Sequence, residues 1–170
     1  MLFILSTPEY QHCQLPVTKV KVHLSSGIAE IYENHRDLLG RIKNNIIEIE
    51  SNFENKIEKF LFVLQNAVFI VSNKGLDKSK ESQTTVYVYA KQIQEIGPTT
   101  SYEKLSKEYN QKKVELDNYL EKNPDALKKS SKISPLKMSL DSKVSFAELL
   151  EDELEFLTKS LTILKEMKNF

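Results

Sequence analysis

Three histidines and a single cysteine are the residues of this 170-residue chain best suited to metal binding or nucleophilic catalysis. His12 and Cys13 are adjacent, while His23 and His35 stand apart. Successive residues of a strand point to opposite faces, so His12 and Cys13 are expected to diverge rather than share a metal. One cysteine excludes a disulfide within the chain and any zinc site that needs two thiolates from it. No nucleophile signature surrounds Cys13. A second group is acidic: Glu148, Glu151, Asp152, Glu153 and Glu155. Paired carboxylates do acid–base chemistry in a shaped pocket, which the start of a helix does not supply. Two readings remain for them, favourable placement at a positive helix N-terminus and a patch for a basic partner. Tyr102, Tyr109 and Tyr119 have the rings to stack on single-stranded nucleic acid, but their spacing places them on one helix seam. Four glycines in the whole chain leave no phosphate-binding loop.

Composition narrows the classes further. Lys plus Arg and Asp plus Glu both number 24, so the chain is neutral overall, which argues against nucleic acid or an acidic membrane as a whole-surface partner. With 40% hydrophobic residues there is material for a real core. No stretch reaches the roughly 18 apolar residues of a membrane helix. The longest candidate, Phe60 to Val71, is interrupted by Gln65 and Asn66. Met1 to Leu5 is apolar but lacks a basic flank and stops at Ser6-Thr7-Pro8, so it does not read as a leader. The expected location is the cytoplasm.

The elements that must carry these residues fall into two halves. Short apolar or β-branched runs recur at Leu2–Leu5, Val17–Leu24, Ile28–Tyr32, Leu38–Ile42, Ile46–Ile49, Ile57–Leu64, Val68–Val71 and Thr84–Ile93. This spacing, with breakers between, predicts a sandwich or barrel. Val20, Val22 and Leu24 alternate with Lys21 and His23, as Val86 and Val88 do with Tyr87 and Tyr89. Asn73 to Gln83, with Gly75, reads as an exposed loop. Gly97-Pro98 closes the β region. Beyond it, Tyr102, Leu105, Tyr109, Lys112, Leu116 and Tyr119 follow a 3-4-3-4-3 spacing, the seam of a helix capped by Thr100 or Ser101 and stopped at Asn123-Pro124. A final helix opens with Ser145 and Glu148 as a capping box. Its apolar residues form two adjacent stripes: Phe146, Leu150, Leu154, Leu157, Leu161 and Leu164, and Leu149, Phe156, Ile163 and Phe170. So wide a face needs more than one neighbour. One is the seam of the preceding helix; the other is the β domain or another protein.

The predicted fold is therefore α+β, an N-terminal β-sandwich over residues 1–97 followed by a C-terminal antiparallel two-helix hairpin over residues 98–170. The helices are expected near 100–122 and 145–168, joined by a polar, lysine-rich linker at 123–144.

One segment points to a function. Gly27-Ile28-Ala29-Glu30-Ile31-Tyr32-Glu33-Asn34-His35-Arg36-Asp37-Leu38-Leu39-Gly40-Arg41-Ile42 resembles the signature loop of the epsilon subunit of F-type ATP synthases, called delta in mitochondria. That family has a Gly, then an apolar residue before a Pro-Gly-His-Ala-Pro-Leu-Leu stretch that ends in an apolar residue. Gly27, Ile31, Tyr32, His35, Leu38, Leu39 and Ile42 match in register. A first strand ending in Thr7-Pro8 and the order of strands and helices match too. The family's loop Pro, second Gly, Ala and second Pro stand here as Glu33, Asn34, Arg36 and Asp37, and its later Gly pair is replaced around Gln65-Asn66-Ala67.

The resemblance implies a noncatalytic rotor subunit. Its partners would be a gamma-like shaft, an alpha–beta hexamer that carries the ATP chemistry, and a membrane ring where one exists. It implies no cofactor and no insertion into the membrane, only a peripheral place on its cytoplasmic face. Contact with the shaft is expected from Tyr32, His35, Leu38, Leu39, Ile42, Phe62 and Phe69, where the match is densest. Core packing is the competing reading for Leu38 and Leu39. Phe146, Leu149, Leu150, Phe156 and Ile163 are the candidate docking or regulatory positions of the last helix. Many bacterial relatives bind ATP through an Asp and Arg motif at the first helix, but Tyr102 to Lys107 holds no Arg, and none follows Arg41. Where the family's second helix is basic and inhibitory, this one begins acidic, which inverts the charge logic. Two alternatives stay open: the same subunit in a ring-less F-type-like ATPase that drives another motion, such as gliding, and a free-standing sandwich adaptor for a helical partner. No convergent set of titratable residues supports an enzyme.

Overall fold

Alternation sets the faces of the strands. In Lys19–Leu24 the valines at 20 and 22 are fully buried, while Lys19 and Lys21 turn outward to Glu30 and Glu48 at 2.8 and 3.0 Å. The computed structural model describes residues 1–53, 56–73, 83–124 and 146–168. Ten strands come first: β1 (Leu2–Ser6), β2 (Gln11–Pro16), β3 (Lys19–Leu24), β4 (Gly27–Ile31), β5 (Leu38–Ile42), β6 (Asn45–Phe53), β7 (Lys56–Gln65), β8 (Ala67–Ser72), β9 (Thr85–Tyr89) and β10 (Gln92–Ile96). They make two five-stranded sheets, in the orders β2-β1-β9-β8-β5 and β10-β7-β6-β3-β4. Between the sheets lies one apolar core built on Phe3, Leu5, Val20, Val22, Ile47, Ile49, Phe62, Leu64, Phe69, Val86 and Val88. The chain is thus a β-sandwich followed by a pair of helices, α1 (Tyr102–Lys122) and α2 (Phe146–Lys168).

Two strand expectations are corrected. The run Thr84–Ile93 is not one strand but the end of one sheet and the start of the other. The N–H of Ala90 donates to Ser6 O of the first sheet, and the next N–H, of Lys91, donates to Gln65 O of the second. One apolar run therefore serves two sheets. Strand β2 was not among the expected elements, because Gln11-His12-Cys13-Gln14 lacks the β-branched residues that mark a strand. Its register with β1 shifts between Leu5 and Ser6, leaving His12 as the extra residue of a bulge. The bulge also overrides the alternation expected at His12 and Cys13. Cys13 packs against the core, and the His12 ring meets the core ring of Phe62 edge-on at 5.7 Å.

Strand β7 explains the long apolar run that ends the first half of the chain. Phe62 and Leu64 face the sandwich core, whereas Leu61 and Val63 face the helices. A strand covered on both faces loses its alternation.

Helix α1 starts at Ser101, whose hydroxyl accepts from Lys104 N at 3.2 Å. Thr100 instead ties the preceding turn, accepting from Gly97 N and donating to Glu95 O. Leu105 is buried and the rest of the expected seam is half-buried, against α2. Tyr119 meets Phe146 edge-on at 5.1 Å, and Lys165 lies over the Tyr102 ring at 5.4 Å, so the pair is antiparallel. Lys112, the one charged seam position, bonds Glu153 at 3.0 Å; that bond outweighs the cost of burial and holds the ammonium above its ordinary pKa. The Ser145 cap, Phe170, the Asn73 to Gln83 loop apart from its ends, and the linker beyond Pro124 lie outside the described residues.

The second face of α2 turns to the sandwich. Phe156, Ile163 and Leu164 join Leu105 against Ile46, Val63 and Ile96 on the outer side of the second sheet.

A candidate partner-docking face

The loop between β4 and β5 is held by hydrogen bonds where the resembling family has prolines and glycine. Asn34 adopts φ 62°, the left-handed conformation that glycine favours and asparagine tolerates. The Asn34 N–H donates to Thr84 Oγ1 at 2.7 Å. Glu33 accepts from Thr84 N at 2.9 Å and pairs with the Met1 α-amino group at 2.5 Å. Burial pushes the Glu33 carboxyl up, but these partners outweigh it and hold it below the ordinary value. Asp37 accepts from Asn73 N at 3.0 Å, and Asn73 Nδ2 donates to His35 O at 2.5 Å. Thr84 Oγ1 in turn donates to Asn73 Oδ1 at 2.6 Å. The carboxylates at 33 and 37 thereby fix a loop that proline would otherwise stiffen.

The residues expected to meet a shaft separate into three groups. Tyr32 and Leu39 are exposed, and Leu39 is 69% open. His35 is half-buried, its Nδ1 2.7 Å from Arg36 O. Leu38 is partly buried against the core. Ile42, Phe62 and Phe69 are at most 2% exposed and lie inside the sandwich. Those three are corrected to core residues, since apolar side chains on the inner parity of a strand fill the space between sheets.

Residues of the opposite parity on the first sheet form a face that no described element covers. Ile4 pairs with Tyr87, Tyr87 with Ile70, and Ile70 with Leu39, so these four side chains make one row across β1, β9, β8 and β5. Leu2, Val68 and Tyr89 flank the row. Arg41 is the one charged residue that these strands place on the face, among the described residues. The outer side of the second sheet is the opposite case. The helices cover part of it, and Lys19, Lys21, Glu30, Glu48, Glu50 and Lys59 form ion pairs on the remainder, with His23 hydrogen-bonded to Glu48. A face four strands wide spans roughly 15 Å. Depletion of Lys, Asp and Glu, with Tyr and Arg present, is the composition of an interface core. Tyr87, Tyr89 and Ile70 were absent from the expected contact residues, although their alternation with Val86, Val88, Phe69 and Val71 was the signal that marks them.

Of the α2 positions, Leu150, Phe156 and Ile163 are buried within this chain, whereas Phe146 and Leu149 are partly open. Three acidic residues of α2, Asp152, Glu153 and Glu155, face the sandwich end where the chain passes from sheet to sheet. Lys43 and Glu155 lie 3.6 Å apart, Lys91 and Glu153 3.9 Å. Asp152 receives Asn44 Nδ2 at 3.1 Å, Gln65 Nε2 at 3.4 Å and the amide of Asn66. Among the described residues no three His, Cys, Asp or Glu side chains converge as metal ligands.

No protein-family profile and no curated protein sequence matches the chain. Solved structures do. A chain of the Euglena gracilis mitochondrial ATP synthase, determined by cryo-EM with OSCP, F1 and the c-ring in rotational state 1, superposes with a TM-score of 0.56. The match covers 98% of this chain and 81% of that one at 12% identity. The two chains share a fold. A chain of the Tetrahymena thermophila mitochondrial ATP synthase central stalk and c-ring is also similar, at TM-score 0.45 and 9% identity, over 95% of this chain and 96% of that one. No helix among the described residues is long and apolar enough to cross a membrane.

Proposed function

We propose that this chain is a noncatalytic central-stalk subunit of an F-type rotary ATPase and that the Ile4-Tyr87-Ile70-Leu39 face docks on a gamma-like shaft. The observation that carries the proposal is that face, four strands wide with one charge among the described residues, on a fold shared across 98% of the chain with a component of an ATP synthase. The resemblance of residues 27–42 to the epsilon signature supports the same reading.

The role is mechanical. ATP is made or hydrolysed on an alpha–beta hexamer, and this chain turns with the shaft. A sandwich packed on both sides of β7 deforms little, so torque entering through one sheet reaches the other. Burial of the apolar row supplies affinity, while Arg41 fixes orientation by pairing with a carboxylate or carbonyl of the shaft. A c-ring, in a complex that has one, is a second partner, and the chain is then peripheral on the cytoplasmic face of the membrane.

Affinity purification of the full chain from its native cells tests this, with co-eluting chains identified by mass. Alpha-, beta- and gamma-like chains are expected. Ring and stator chains beside them make the complex an ATP synthase; unfamiliar chains in their place make it a ring-less relative that drives another motion. Leu39→Asp with Ile70→Lys should abolish co-elution while leaving the circular dichroism spectrum unchanged. Recovery of no ATPase chain by the unaltered protein would overturn the proposal in favour of an adaptor.

A further inference from the structure

Three connections carry the chain from one sheet to the other at the same end of the sandwich. Lys43 and Asn44 join β5 to β6, Asn66 joins β7 to β8, and Ala90 and Lys91 join β9 to β10. A single turn of α2, Asp152 to Glu155, contacts all three. Asp152 lies at its centre and accepts from the amides of Asn44, Gln65 and Asn66. Asn44 also donates to Glu155 at 3.0 Å.

Asn44 and Gln65 are buried, and their amide oxygens have no hydrogen-bond partner among the described residues. The Gln65 amide is therefore oriented by the Asp152 carboxylate, and the Asn44 amide by the carboxylates of Asp152 and Glu155 together with the Asp152 backbone carbonyl at 3.4 Å. Asn44 and Asn66 adopt φ 42° and 47°, so each is also the residue that permits its tight corner. The apolar contact between α2 and the second sheet is non-directional and tolerates sliding or rotation. Hydrogen bonds to a carboxylate are directional and fix one pose.

We propose that Asp152 is a positioning residue, a latch that holds the helical pair in one docked pose on the sandwich. Losing its carboxylate releases the pair as a unit. The α1–α2 seam does not run through its carboxylate, because Tyr119 meets Phe146, Leu105 packs in the apolar cluster with Phe156 and Ile163, and Lys112 bonds the neighbouring Glu153. Asp152, Glu153 and Glu155 are thereby committed within the chain, while Glu151 stays exposed. This inference does not depend on the assignment to a rotary ATPase.

Native-state hydrogen exchange of the full chain tests it, with Asp152→Ala, Asp152→Glu and Glu151→Ala compared with the unaltered protein. Hydrogen bonds to charged groups are strong enough that Asp152→Ala should raise the opening constant of α2 by about tenfold to a hundredfold. Amides of the core strands β1 and β9 should exchange as before. Asp152→Glu, which keeps the charge, should recover most of the protection, and Glu151→Ala, an exposed acid one residue away, should change little. Spin labels on α1 (Lys113→Cys) and β2 (Gln14→Cys), with Cys13→Ser, should give one narrow distance that broadens on Asp152→Ala. Unchanged α2 exchange would overturn the proposal, because the apolar contact would then fix the pose alone. Equal loss of protection in β1 and β9 would overturn it too, by making Asp152 a general stabilising residue.

Discussion

Phe69 on β8 lies directly over Gly40 on β5, and the ring occupies the space a side chain at 40 would need. A Cβ there would sit 2.2 Å from Phe69 Cε1 and 2.5 Å from Cζ. The neighbour is a fully buried ring in a packed core, so it has nowhere to go. Gly40→Ala should destabilise the chain by about 1–3 kcal/mol, read from urea unfolding. The same change in a Phe69→Leu background should cost less, and a double-mutant cycle gives the difference. Equal costs in both backgrounds would disprove the close approach.

Leu39 and Phe69 differ in parity, not in chemistry, and their variants should separate stability from docking. Phe69→Ala should cost about 3–5 kcal/mol, because it empties a core site. Leu39→Ser, at an exposed position, should stay within about 0.5 kcal/mol. If Leu39→Ser destabilised as much as Phe69→Ala, the face would be part of the core and not a docking surface. Thermal unfolding of the two variants decides the matter.

Glu48 links stability to pH. Burial pushes its carboxyl up, but bonds from His23 at 2.6 Å and Lys21 at 3.0 Å outweigh it and hold the group below its ordinary 4.5. A depressed folded-state pKa means stability that is complete above the unfolded value and is lost as pH falls through the folded one. Glu48→Gln should therefore be less stable than the unaltered chain at neutral pH. The gap should close as the pH falls below 4.5. Its size is modest because the carboxylate is partly open to solvent. Urea midpoints followed from neutral pH downward would refute the linkage if the gap stayed constant.

Cys13 should be slow to react. Burial, and after it the charge of Glu95, push its thiol from 9.0 to about 11. Near pH 8 the thiolate fraction is then about a hundredfold below that of an ordinary cysteine, since two pKa units are two decades. Alkylation by iodoacetamide should be slowed by about that factor in the folded chain and recover in denaturant. Equal rates in both states would show that Cys13 is accessible and unperturbed.

Local periodicity made much of this fold legible. The alternation of Val20 and Val22 with lysines, and of Val86 and Val88 with tyrosines, carries the inside and outside of each strand in neighbouring residues. The 3-4 spacing from Tyr102 to Tyr119 does the same for the helix seam. These signals survive in sequence because a face is a property of residues two, three or four apart.

Tertiary structure decided what depends on residues far apart. Phe62, Phe69 and Leu39 are alike as apolar strand residues, and only the second sheet, lying over one side of the first, makes two of them core and one of them surface. The break at Ala90 and Lys91 is invisible in the run Thr84–Ile93, because it arises from two hydrogen-bond partners, Ser6 and Gln65, on different sheets. The acidic turn of α2 reads as solvated charge until packing brings Asn44, Gln65 and Asn66 beneath Asp152. The sequence by itself determined the fold class, the order of its two halves and the alternating or 3-4 faces of the strongly periodic elements, but not strand β2 or the division of β9 from β10. Which faces meet, which stay open, and which polar side chains become partners follow from packing, since burial is shared between elements and belongs to no segment alone.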